Sequence, residues 1–109
     1  MKDDTQLMKG ILEGCLLHVI AKGETYGYKV VGTLKEFGFD VNEATVYPIL
    51  LRLQNRGFLY VDRRPSPFGP DRKYYSLTPE GFDELKDFKE SWQRLDSMVN
   101  SVLEVGGDD

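Results

Sequence analysis

The chain has almost none of the side chains from which enzymes and metal sites are built. Among 109 residues there is one cysteine, Cys15, one histidine, His18, and one tryptophan, Trp92. A single cysteine closes no internal disulfide, which fits a reducing compartment. A lone histidine with no cysteine or carboxylate cluster around it is not a metal site. There is no glycine-rich phosphate loop and no pair of acids in a credible pocket, so no group is left to carry a reaction. Neither an enzyme activity nor a cofactor or metal is expected. No apolar run is long enough to span a membrane, and Met1-Lys2-Asp3-Asp4 does not lead into a signal-peptide pattern. The expectation is a cytoplasmic protein without membrane contact, built as one compact unit with a thin core.

Excess positive charge is also missing overall, since the net charge is -4. Taken alone this argues against a nucleic-acid partner, but the charge is unevenly spread. Residues 1–41 carry five basic and six acidic side chains, and residues 79–109 carry three basic and nine acidic. Residues 42–78 carry Arg52, Arg56, Arg63, Arg64, Arg72 and Lys73 against Glu43, Asp62 and Asp71, hence +3. A phosphate backbone meets the local field, not the total. Ordinary surface charge is the competing reading of this count.

What is present starts with Asn42–Gly57. Asn42 is a good N-cap, Glu43 places an acid in the first turn, and Gly57 follows the last periodic residue. Val46, Leu50 and Leu53 share one face at helical spacing. Thr45, Pro48, Arg52 and Asn55 point roughly the other way, and that face has no carboxylate after Glu43. It suits a polyanion. Pro48 is the irregularity: it lacks an N–H and crowds the carbonyl of Ala44, so either the helix kinks or its regular part begins nearer Thr45.

Ahead of it, residues 5–21 read as one helix with the apolar stripe Met8, Ile11, Leu12, Cys15, Leu16, Val19 and Ile20. Gly10 and Gly14 form a bare strip on it, open to a closely packed partner, to a ligand, or to neither. Lys22-Gly23-Glu24-Thr25 is a turn, and Thr25 can cap a second helix to about Phe37 with Tyr28, Val31 and Leu34 inward. Two short helices around a tight link, the second with a polar outer face, form a helix-turn-helix pattern.

Behind it, 58–63 and 72–77 read as strands. Arg64-Pro65-Ser66-Pro67-Phe68-Gly69-Pro70-Asp71, with three prolines and a glycine, reads as the long loop between them. The hairpin brings Arg63, Arg64, Arg72 and Lys73 together, which repels unless something anionic neutralises them. Thr78-Pro79-Glu80 then opens a last helix that runs to about Val105 and frays at Gly106-Gly107. Its apolar residues Leu85, Phe88, Trp92, Leu95, Val99 and Val102 step by three and four, a heptad seam suited to a second copy. The fold class expected is mainly α with a small β-hairpin: a winged helix-turn-helix over 1–78 and a long dimerisation helix with a short acidic tail over 79–109.

In order, Tyr26-Gly27-Tyr28, Asn42-Glu43-Ala44-Thr45-Val46-Tyr47-Pro48, Arg52-Leu53, Gly57-Phe58-Leu59 and Arg72-Lys73-Tyr74-Tyr75-Ser76-Leu77-Thr78-Pro79-Glu80-Gly81 resemble the PadR-like family of bacterial transcriptional regulators. The likeness covers residues about 7–104. It implies a winged-helix homodimer, joined through its first and last helices, that represses a promoter until a small molecule binds. Glu90-Ser91-Trp92 with Arg94 and Asp96 resembles the segment that lines a central pore in the short multidrug-responsive members, where paired tryptophans stack on a planar aromatic ligand. That resemblance puts Gly10, Gly14, Phe88, Trp92 and Asp96 at the pore and Leu85, Leu95, Val99 and Val102 in the dimer contact. Trp92 as plain seam packing is the alternative, against which stand its size and the partner its indole N–H needs when buried.

On this reading the partner is double-stranded DNA with a near-palindromic operator, its half-sites about 34 Å apart or a multiple of it. Tyr26, Arg63, Arg64, Arg72 and Lys73 would hold phosphates. Thr45, Tyr47 and Pro48 would meet base edges, with Arg52 and Asn55 farther along the same face and Asn42 counted with them at the DNA. A winged-helix module used only for protein contacts is the other function class; the wing cations count against it.

Overall fold

The computed structural model describes residues 5–8 and 10–107; the opening Met1–Asp4, Lys9 and the final Asp108-Asp109 of the acidic tail lie outside the described residues. The elements run α1 (Thr5–Met8), α2 (Ile11–Ala21), β1 (Thr25–Tyr26), α3 (Gly27–Glu36), α4 (Glu43–Asn55), β2 (Leu59–Ser66), β3 (Gly69–Leu77) and α5 (Pro79–Gly107). The strands form one antiparallel sheet in the order β1-β3-β2. Leu16, Leu17 and Ile20 of α2, Val30 and Leu34 of α3, and Val46, Leu50 and Leu53 of α4 are fully buried together, with Leu59, Tyr75, Leu77 and Leu85 closing the core. This is the winged helix-turn-helix, with α3 and α4 as the paired helices and the β2–β3 hairpin as the wing.

α4 is bounded as its sequence requires. The Thr45 amide donates to Asn42 Oδ1 at 3.1 Å. At the other end Gly57 takes φ 84°, its amide donates to the Gln54 carbonyl at 2.9 Å, and the Phe58 amide donates to the Leu53 carbonyl at 3.0 Å. That pair of reversed bonds is a Schellman stop, which needs a residue free to adopt positive φ. The helix starts at Glu43 and carries Pro48 in its interior. The Ala44 carbonyl therefore lacks its usual donor, but Ala44 and Pro48 are both exposed, so the loss falls where water can compensate.

Five expectations are corrected. The first helix is not continuous: Gly10 has φ 82°, outside the helical region, and separates α1 from α2. Thr25 does not cap the second helix; it is buried in β1, opposite Tyr75 of β3, and α3 starts two residues later. That phase shift turns Tyr28 outward, 70% exposed, and puts Val30 in the core beside Val31 and Leu34. The wing has no long loop. Pairing continues to Ser66↔Gly69, with one irregularity between Arg64 and Ser66. Pro65 sits at that irregularity on the edge strand β2, where a missing N–H breaks no ladder. Finally, α5 stays helical to Gly107.

α5 is anchored at its start and free at its end. Thr78 accepts from the Gly81 amide at 3.0 Å through Oγ1 and donates the same hydroxyl to the Gly57 carbonyl at 2.6 Å. At 29 residues the helix is about 43 Å long. The radius of gyration, 16.4 Å, exceeds the roughly 13 Å of a compact chain of this length, because α5 projects past the domain. Among the described residues no helix is long and apolar enough to cross a membrane.

Candidate nucleic-acid interface

The outer face of α4 lies beside the wing, and the two enclose an open groove of about 930 Å³. Tyr47, Pro48, Leu51 and Gln54 line it from α4, Tyr26 to Tyr28 from the start of α3, and Phe68 to Lys73 from the wing. The sequence places Tyr47 well for this. Its ring lies over Gly27, where an added Cβ would stand 2.7 Å away, so only glycine lets the α3 start and α4 come this close. Burial, with Glu43 and Tyr28 alongside, raises the Tyr47 phenol above its ordinary value. At neutral pH it remains a neutral hydroxyl, able to donate or accept. Thr45 and Asn55 are exposed on the same helix, and Thr45 Oγ1 lies 3.3 Å from Asn42 Oδ1. Asn42 thus spends its oxygen on the cap and keeps its amide nitrogen as a spare donor.

The wing register is Arg63↔Lys73 and Arg64↔Arg72. Within these like-charged pairs, the contacts that offset repulsion fall on Arg64 and Arg72. Arg64 donates to Glu24 at 2.7 Å and to Asp62 at 2.9 Å, and its guanidinium lies 4.3 Å from the centre of the Tyr74 ring. Those carboxylates, Glu24 first, raise its already high pKa further. Arg72 lies 4.3 Å from the centre of the Tyr26 ring, and Tyr26 meets Tyr74 edge-on at 5.7 Å. The two arginines and two tyrosines form a row across β2, β3 and β1, in the order Arg64, Tyr74, Tyr26, Arg72. Among the described residues, Arg63, Arg72 and Lys73 have no carboxylate within ion-pair distance. They are the cations left for an outside anion.

Arg52 sits elsewhere than its helical position suggests. It leaves the groove side and bonds Glu13 of α2 through Nε at 2.8 Å, with Arg56 at 3.9 Å from the same carboxylate. Nothing in the spacing of α4 reveals this, because the partner lies 39 residues away. Leu51, Gln54, Tyr28 and Phe68 were likewise missed as groove residues. Phe68, at the wing tip, is 97% exposed; its place became visible only once the wing loop shortened to a turn.

The residues expected at a pore do not form one surface within a single chain. Gly10 stands open before α2, whereas Gly14 is buried under the ring of Phe88, which would collide with any Cβ there. Leu85 belongs to the domain core. Trp92 is 46% exposed, followed along α5 by exposed Leu95, Met98, Val99, Val102 and Leu103. Asp96 accepts from Asn100 Nδ2 at 3.2 Å. Exposed His18 is held below its ordinary pKa by partial burial and then by Lys89 and Lys22. Among the described residues no three potential ligands converge on a metal position.

A family-wide sequence profile, that of the transcriptional regulator PadR-like family, matches residues 16–87, from α2 into α5. The chain belongs to the PadR-like family. Its fold matches a Streptococcus transcriptional regulator at 47% identity, covering 90% of this chain and 97% of the other, with a TM-score of 0.79. A PadR-like transcriptional regulator of Bacillus cereus matches at 41% identity over 91% of this chain and 97% of its own, TM-score 0.80. Bacillus subtilis PadR, solved in complex with operator DNA, matches at 28% identity over 72% of this chain and 46% of its own, TM-score 0.66. Members of this family are transcriptional regulators rather than enzymes.

Proposed function

We propose that this chain is a cytoplasmic, homodimeric regulator that binds operator DNA through α4 and the wing, with residues 1–78 as the reading unit and 79–109 as the dimerisation helix. The observation that carries the reading is the exposed outer face of α4 next to Arg63, Arg72 and Lys73, which have no carboxylate partner among the described residues. The operator complex of Bacillus subtilis PadR supports it by analogy of fold. Asn42, Thr45, Tyr47, Pro48 and Asn55 face base edges; Tyr26, Arg63, Arg72 and Lys73 hold phosphates; Arg52 and Arg64 stand beside them, held by Glu13 and by Glu24 and Asp62.

The apolar face of α5 from Trp92 to Val102 is too extended to be left in water, and a second copy covers it. The pair of Trp92 rings, with Asp96, Gly10 ahead of α2 and the Phe88 ring that covers Gly14, forms the seat of a planar aromatic ligand that releases a repressed promoter. The test is a mobility shift with the DNA upstream of the protein's own coding region. Two copies per duplex, competition by that sequence over random DNA, and a steep fall with salt are expected. Equal binding of every sequence, or none at low salt, would leave a protein-contact module as the better reading.

A further inference from the structure

We infer that Glu13 sets the specificity of DNA binding by withholding Arg52 and Arg56 from the phosphate backbone. The inference rests on the DNA-binding reading above. Glu13 lies on α2, outside the groove, and its side chain is only 23% exposed. Its carboxylate takes the Nε–H of Arg52 at 2.8 Å on one oxygen and stands 3.9 Å from Arg56 Nη1 on the other. Both side chains are more than half exposed, Arg52 in the last turn of α4 and Arg56 at its C-cap. Without Glu13 the C-terminal end of the reading helix would present two free guanidiniums to any duplex. A carboxylate offers oxygen acceptors, as a phosphate does, and here one of them takes the Arg52 Nε–H that a phosphate would otherwise accept.

A cation that grips any phosphate adds affinity to every sequence alike and so erodes discrimination. Glu13 removes that contribution by bonding Arg52 at 2.8 Å and standing 3.9 Å from Arg56, whose guanidinium also lies 5.1 Å from the centre of the Phe58 ring. The neighbouring residue, Gly14, is the seat of Phe88 from α5. The position of Glu13, and hence the grip on Arg52, is therefore set by the same contact that fixes α5 on the domain.

The experiment compares the whole protein with Glu13→Gln, Arg52→Ala and the double variant on the upstream duplex and on a random duplex of equal length. Glu13→Gln should raise affinity for random DNA. One further phosphate neutralised per copy steepens the log-log salt slope by about 0.9, which at 0.1 M salt is about eightfold tighter per copy. In the Arg52→Ala background most of that gain should vanish. A structural role for Glu13 would instead weaken binding and leave the slope alone; that outcome, or an unchanged slope beside normal operator binding, overturns the inference. If the unaltered protein binds neither duplex, the DNA reading itself fails.

Discussion

Replacing Thr78 by valine removes one hydroxyl and almost nothing else, since both side chains are β-branched and of similar shape. That hydroxyl joins three elements. It caps α5 by accepting from the Gly81 amide at 3.0 Å, and it donates to the carbonyl of Gly57, the stop residue of α4, at 2.6 Å. Thr78 is 6% exposed, so water replaces neither bond easily. Loss of an N-cap costs about 1 kcal/mol. Leaving the Gly57 carbonyl one donor short adds about 1 kcal/mol. With an unfolding entropy of about 2.1 cal/mol/K per residue, 109 residues give about 0.23 kcal/mol/K, and a loss of about 2 kcal/mol lowers Tm by about 9 °C. Calorimetry or circular dichroism at equal protein concentration measures it, because association would make Tm depend on concentration. Amide exchange should accelerate at Gly81 and remain slow at Phe82, whose amide donates to the Thr78 backbone carbonyl at 3.0 Å. A Tm within about 2 °C of the parent would refute the claim that this hydroxyl is the joint.

Three further outcomes are expected. Lys73→Ala should weaken all DNA sequences alike and flatten the salt slope by about one unit per copy, as titrations against salt would record; an unchanged slope would remove the wing from the interface. Trp92 is the sole tryptophan, so planar aromatic compounds should quench its fluorescence, and Trp92→Ala should abolish their binding while gel filtration still gives a dimer. Failure of a broad aromatic panel to quench would favour a seam that only packs. Burial pushes the Cys15 thiol above its ordinary pKa, so little thiolate forms at neutral pH and labelling by iodoacetamide should be much slower in the folded protein than in urea.

The elements that announce themselves in the sequence are those with local chemistry. Asn42, Gly57 and Thr78-Pro79 fix helix ends through bonds to residues three or four positions away, and each appears in the structure where it was expected. What was not legible depends on partners far along the chain. Thr25-Tyr26 looks like a helix start until β3 supplies a strand fifty residues later, and Val30 rather than Tyr28 then joins Val31 and Leu34 in the core. The wing turn was hidden by Pro65 and Pro70, which read as breakers although both lie where no ladder bond is needed: β2 is an edge strand, and β1 pairs only with Tyr74 and Tyr75 of β3. Arg52 and Arg64 read as free cations because Glu13 and Glu24 are about forty residues away.

α5 is held on the domain at its start, beside the end of α4, through Leu85 in the core, and through Phe88 on α2. The Thr78 hydroxyl bonds the end of α4, while Gly81 lies so close to the Phe58 carbonyl that no Cβ would fit between them. Two turns on, Phe88 rests on Gly14, next to the Glu13 that grips Arg52 of α4. Beyond Phe88, Trp92, Leu95, Met98, Val99, Val102 and Leu103 of α5 are exposed, so in the proposed dimer a displacement there would be carried back along the helix toward the domain. Thr78 and Trp92 are about 21 Å apart along that helix. In the proposed dimer, a tilt of about 5° imposed at the Trp92 pair by a ligand shifts one end against the other by about 2 Å. Hydrogen bonds to base edges do not survive an error of that size. In that dimer, half-site spacing would be set far from α4, by whatever occupied the space between the two tryptophans.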